Sequence, residues 1–83
     1  MRSDEIENSI VKVLHKIKDA KDVVLELETN LFNVGVLDSF GMIEYLAALE
    51  KEFNIKFSNE DLIPQNLWNI KASAQLVRKY LTK

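Results

Sequence analysis

Asp38 and Ser39 stand side by side in the middle of the chain, at the close of a long mixed loop and directly before an amphipathic pattern. That placement puts Ser39 in the first turn of a helix, with Asp38 as its cap. The first backbone N–H groups of a helix lack partners and the helix dipole is positive there, so the position suits an attached anionic phosphate. A serine so placed can be a tether, a plain cap or a nucleophile. A nucleophile needs an oriented base and donors aimed at the developing oxyanion. The only histidine, His15, falls on an earlier helix outside its apolar stripe, and G-x-S-x-G does not occur. Hydrolysis is therefore set aside, while the tether and the plain cap both stand on these residues alone.

Four helical stretches are expected to position this pair. In the first, residues 4 to 18, Ile6, Ile10, Val13, Leu14 and Ile17 share one face. Asp4 with Glu7 three residues on has the form of a capping box, and Ser3 is the alternative cap. Residues 19 to 37 form no regular element, yet Leu27, Leu31 and Phe32 make them too apolar for a disordered linker. This loop is expected to pack down, with a helical turn near Leu31, and Gly35 to supply the backbone freedom that delivers Asp38 as a cap.

The second helix, residues 38 to 53, carries Met42, Tyr45, Leu46, Leu49 and Phe53 on a core stripe and Phe40, Ile43 and Ala47 on roughly the opposite side, next to Glu44. Either the helix is buried on both sides, or the second ridge is a docking surface flanked by acid; in so small a protein docking is the expected reading. Glu50-Lys51-Glu52 reads as a solvated face. A short third helix opens at Ser58-Asn59-Glu60-Asp61 and is limited by Pro64. Trp68 is expected in the core or against the second helix, and Asn69 to cap a fourth helix, residues 70 to 82, on which Ile70, Ala74, Val77 and Leu81 recur. The fold expected is all-α: a small four-helix bundle of three longer helices and one short one, one domain over residues 1 to 83.

Composition narrows the functions. A chain of 83 residues buries only about 60% of its unfolded surface, so a deep enzyme-like pocket is not expected. Cysteine is absent, which removes disulfides, thiolate metal sites and a cysteine nucleophile. No second histidine or cluster of acids at ligand spacing joins His15, which reads as a surface or structural residue. No run reaches the ~20 apolar residues of a membrane span, and no signal-peptide layout opens the chain, so a cytoplasmic protein without membrane insertion is expected. The net charge of −2 is uneven: residues 23 to 63 hold eight acids against two bases, and residues 64 to 83 hold four bases and no acid. The acidic middle argues against nucleic acid and favours basic patches on protein partners.

The stretch LFNVGVLDSFGMIEYLAALEKEF, residues 31 to 53, resembles the acyl carrier and peptidyl carrier proteins. The similarity extends to chain size, the acidic second helix, the long first loop and the spacing to the last helix. It implies that Ser39 carries 4′-phosphopantetheine from coenzyme A, placed there by a separate phosphopantetheinyl transferase. The chain itself would then be no enzyme. It would hold an acyl or aminoacyl group as a thioester and present it to a loading ligase or synthase and to downstream acyltransferases, as a monomer. By position, Asp38 belongs to the attachment motif, Phe40 to its bulky apolar site, and Ile43, Glu44 and Ala47 to the partner-facing part of the helix.

Gly41, Met42, the small Ala47 and Lys51 depart from the common fatty-acid type and point toward a dedicated pathway. The run Leu37-Asp38-Ser39-Phe40-Gly41-Met42 resembles the D-alanyl carrier proteins of cell-wall teichoic acid modification. The alternative is an unmodified helical adaptor that docks through the second helix.

Overall fold

The computed structural model describes residues 3 to 17 and 25 to 81. Among the described residues there are three α-helices, α1 (Ser3–Ile17), α2 (Ser39–Phe53) and α3 (Ile70–Leu81), with two 3-10 turns, Asn59–Asp61 and Pro64–Asn66, between α2 and α3. Among the described residues there is no strand. The expected all-helical class holds, but the short third helix does not form: two separate 3-10 turns stand in its place. The physical reason is Pro64, whose ring and missing N–H bar an α-helix from running through from Asn59 and instead open the second turn.

Apolar periodicity dictates how the helices meet. α1 packs against both α2 and α3, which touch each other less. Its inner face is the stripe read from the sequence: Ile6, Ile10, Val13 and Leu14 are buried and Ile17 is packed against them. From α2 come Tyr45, Leu49 and Phe53, with Met42 and Leu46 half-buried beside them. α3 contributes Ile70, Ala74, Leu76 and Val77, together with Ser73, whose buried hydroxyl donates to the Asn69 carbonyl at 2.8 Å. Burying a leucine such as Leu49 stabilises the fold by about 1.5–3 kcal/mol.

α1 begins at Ser3, so Ser3 and Asp4 lie inside the helix rather than before it. Asp4 and Glu5 sit in the first turn, where carboxylates complement the dipole. Residues 18 to 24, which include the expected end of the first helix and the start of the loop after it, lie outside the described residues, as do residues 1, 2, 82 and 83.

The segment before α2 is fastened rather than loose. The Leu31 N–H donates to the Trp68 carbonyl at 2.7 Å and the Lys71 N–H to the Leu27 carbonyl at 2.9 Å, so the loop runs along the start of α3. Asn30 Oδ1 accepts from the N–H groups of Phe32 and Asn33, closing the turn over residues 31 to 35. The Leu31 carbonyl accepts from both Val36 and Leu37, and Gly35 makes the reversal possible with φ of +80°. Leu31, Val36 and Leu37 are the buried anchors. Leu27, expected to help close the bundle, is 43% exposed, because its carbonyl rather than its side chain makes the tie to α3.

Two further expectations change. Of the two places expected for Trp68, the core is excluded: it is 41% exposed, and its neighbour Leu67 is the buried residue. Glu50 does not stand on a solvated face: its carboxylate accepts from the Phe57 N–H at 2.9 Å, and its carbonyl accepts from Asn54 and Ile55. Asn54, with φ of +53°, ends α2 in the left-handed conformation that asparagine tolerates.

Candidate functional site

The site is a helix end. Asp38 has an extended backbone, φ −131° and ψ −173°, and its carboxylate Oδ1 accepts from the Gly41 N–H at 2.6 Å. Its carbonyl accepts the Met42 N–H at 2.8 Å, the first bond of the helix ladder. Ser39 is thus the first residue of α2, with its side chain exposed. The N–H groups of Gly41 and Met42 are taken by Asp38, whereas those of Ser39 and Phe40 have no acceptor within the helix. An exposed serine at the positive end of a helix, beside amides that have no acceptor within it, fits a phosphodiester attached there.

Two open grooves lie elsewhere. One, of about 400 Å³, runs between α1 and α2 and is lined by Val13, Lys16, Ala48, Lys51 and Glu52. The other, of about 430 Å³, is lined by Glu7, Glu26, Leu27, Glu28 and Lys71. Neither includes Asp38 or Ser39, both of which are exposed.

The side chains read as a ridge do share the outer side of α2. Phe40 is 73% and Ile43 66% exposed, and Glu44 and Ala47 are exposed as well. Burial on both sides of the helix is thereby excluded among the described residues. Phe40 directly follows Ser39, so the ridge starts at the serine. Sequence reasoning missed Gly41 as part of the site: its bare α-carbon faces the capping carboxylate. The aspartate three residues before it was the available signal. His15 is exposed on α1, and among the described residues no cluster of three or more His, Asp or Glu could hold a metal ion.

Comparison with known proteins identifies a family. The chain matches the family described as "Phosphopantetheine attachment site" over residues 4–67. It is 32% identical to the D-alanyl carrier protein of Lacticaseibacillus casei (strain BL23) over 56 residues, which cover 68% of this chain and 69% of that one. The D-alanyl carrier protein of Lacticaseibacillus rhamnosus is 33% identical over 55 residues, 66% of this chain and 68% of the relative. That of Streptococcus pyogenes serotype M1 is 37% identical over 51 residues, 61% of this chain and 63% of the relative. No solved structure matches. The matched family carries 4′-phosphopantetheine covalently on a serine, receives it from a separate transferase and is not catalytic. With a match over most of its length and an exposed serine at a capped helix start, the chain belongs to the phosphopantetheine attachment family of carrier proteins.

Proposed function

We propose that Ser39 is the serine that bears the 4′-phosphopantetheine arm, and that the loaded group is a small aminoacyl unit, D-alanine being the one named by the relatives. The observation that carries the first part is the exposed Ser39 hydroxyl at the first position of α2, next to a capped and therefore fixed backbone. When bound, the group supplies a terminal thiol, which the cysteine-free chain lacks, as the point of thioester attachment.

The chain's own residues do three things. Asp38 fixes the first turn, so that Ser39 leaves the surface in one direction. The N–H groups of Ser39 and Phe40, which have no acceptor within α2, favour negative charge beside the tether. Phe40, Ile43 and Ala47, flanked by Glu44, form the face through which a transferase, a loading ligase and an acceptor enzyme dock in turn. Docking through exposed acid and apolar side chains suits fast, repeated exchange, because charges at a rim mainly raise association rates. A tether shared by several docked enzymes raises the effective concentration of the group at each of them. A monomeric, cytoplasmic carrier is part of the same reading.

The experiment is loading. The phosphopantetheinylated protein is incubated with ATP, an amino-acid-adenylating ligase and, in parallel, D-alanine, L-alanine or a fatty acid with its own ligase. The expected result is a hydroxylamine-labile adduct with D-alanine that is absent from Ser39→Ala. Loading by the fatty acid in preference to D-alanine contradicts the aminoacyl reading.

A further inference from the structure

We propose that Gly41 is a positioning residue for the modification of Ser39, acting through Asp38; the inference rests on Ser39 being the tether. Glycine is a poor helix former, and alanine at a helical position with negative φ ordinarily stabilises a protein by restricting the unfolded chain. A glycine in the first turn of α2 therefore calls for a local reason.

The reason lies in the space above its α-carbon. A methyl group at position 41 would lie 3.1 Å from Asp38 Oδ1 and 3.9 Å from Leu37 Cδ2. The same Oδ1 is the atom that accepts the Gly41 N–H, at 2.6 Å. The short capping bond and the missing side chain are thus two aspects of one contact: a cap to the third helical residue tolerates a side chain there, but with a methyl group 3.1 Å from Oδ1 this carboxylate would have to draw back by a few tenths of an ångström from its present position. Leu37 is buried and held by its N–H to the Leu31 carbonyl, and the Asp38 carbonyl is held by Met42. With the backbone fixed on both sides, a methyl group at 41 is relieved by turning the carboxylate outward and lengthening the capping bond. The loss of that restraint falls on the residue next in the chain, Ser39. Displacing a reacting oxygen by a fraction of an ångström is enough to slow a positioned reaction.

The test uses coenzyme A and a broad-specificity phosphopantetheinyl transferase, with initial rates followed by intact mass. Gly41→Ala is expected to fold with an unchanged or raised Tm, to lower kcat by about three- to tenfold and to leave KM within about twofold, because docking is untouched. Asp38→Ser keeps a capping side chain but shortens it, removing the oxygen that the methyl group meets. In that background, adding Gly41→Ala is expected to cause no further loss.

Equal losses in both backgrounds overturn the proposal, because they mark a clash between the methyl group and the transferase itself. An unchanged rate for Gly41→Ala, or a variant that fails to fold, overturns it too. Failure of the tether reading looks different: the unaltered protein then gains no group at all.

Discussion

The Tyr80 hydroxyl donates to Asp61 Oδ2 at 2.5 Å, joining the last turn of α3 to the first 3-10 turn. The Ser58 N–H donates to the same phenol oxygen at 2.8 Å, and the Tyr80 ring meets Phe57 edge to face with centroids 5.1 Å apart. Lys79 adds an ion pair to Asp61 at 3.3 Å. Where the sequence suggested a capping serine opening a helix, the segment is held by side chains from 18 to 22 residues further on.

This clamp gives stability a definite pH dependence. The hydrogen bond from Tyr80, with the neighbouring Lys79, holds the Asp61 carboxyl below its ordinary value of 3.8. A depressed carboxyl contributes stability that is present above the unfolded value and is lost as pH falls through the folded one. Thermal unfolding between pH 7 and pH 2 is expected to show a fall in Tm below about pH 4. Asp61→Asn should begin from a lower Tm and show a shallower fall; parallel curves for the two proteins contradict the assignment.

Tyr45 presents the opposite case. Its side chain is fully buried on α2, yet its hydroxyl has no hydrogen-bond partner among the described residues, and burial pushes the phenol well above its ordinary range. The Ser73 side chain nearby opposes that shift in part, although it does not meet the phenol in hydrogen-bond geometry. Removing an unsatisfied buried hydroxyl relieves a desolvation cost of about 1–3 kcal/mol. Tyr45→Phe is therefore expected to raise stability by about 1 kcal/mol, or roughly 4–8 °C in Tm for a domain of this size. A loss of similar size in chemical denaturation would mean that the hydroxyl has a partner.

The capping aspartate can be tested by stability alone. Asp38→Ala removes the oxygen that accepts the Gly41 N–H and is expected to cost about 1 kcal/mol. Asp38→Asn retains a capping oxygen and should cost less than half of that. Urea midpoints with unchanged m-values check both, and equal losses for the two variants contradict the cap.

Phe40 and Ile43 are expected to separate folding from docking. Both are largely exposed, so Phe40→Ala and Ile43→Ala should change stability by no more than about 0.5 kcal/mol. KM for the transferase should rise about tenfold or more for either variant if the ridge is where partners bind. Binding unaffected by both variants contradicts the ridge.

The sequence was most legible where regular spacing met a clear choice of residue. The α1 stripe from Ile6 to Ile17 and the core side of α2 follow from period alone, and Asp38 and Asn69 follow from side-chain chemistry: Asn69 Oδ1 accepts the Ala72 N–H at 2.7 Å as a cap should. Between Asn54 and Asn69 there is no period to read. There the choice between Leu67 and Trp68 as core residue depends on where two 3-10 turns place each one. Glu50 looked solvated because its neighbours are charged; only the fold brings the Phe57 amide to its carboxylate. Gly41 was legible only as a departure, since its meaning lies in a distance to Asp38.

The central claim is that the Ser39 hydroxyl is the tether. The direct measurement is intact mass after incubation with coenzyme A and a phosphopantetheinyl transferase, followed by fragmentation of the peptide containing residues 38 to 44. The account expects one phosphopantetheinyl group per chain, located on Ser39 and absent from Ser39→Ala; a group found on another residue, or none on the folded protein, contradicts it.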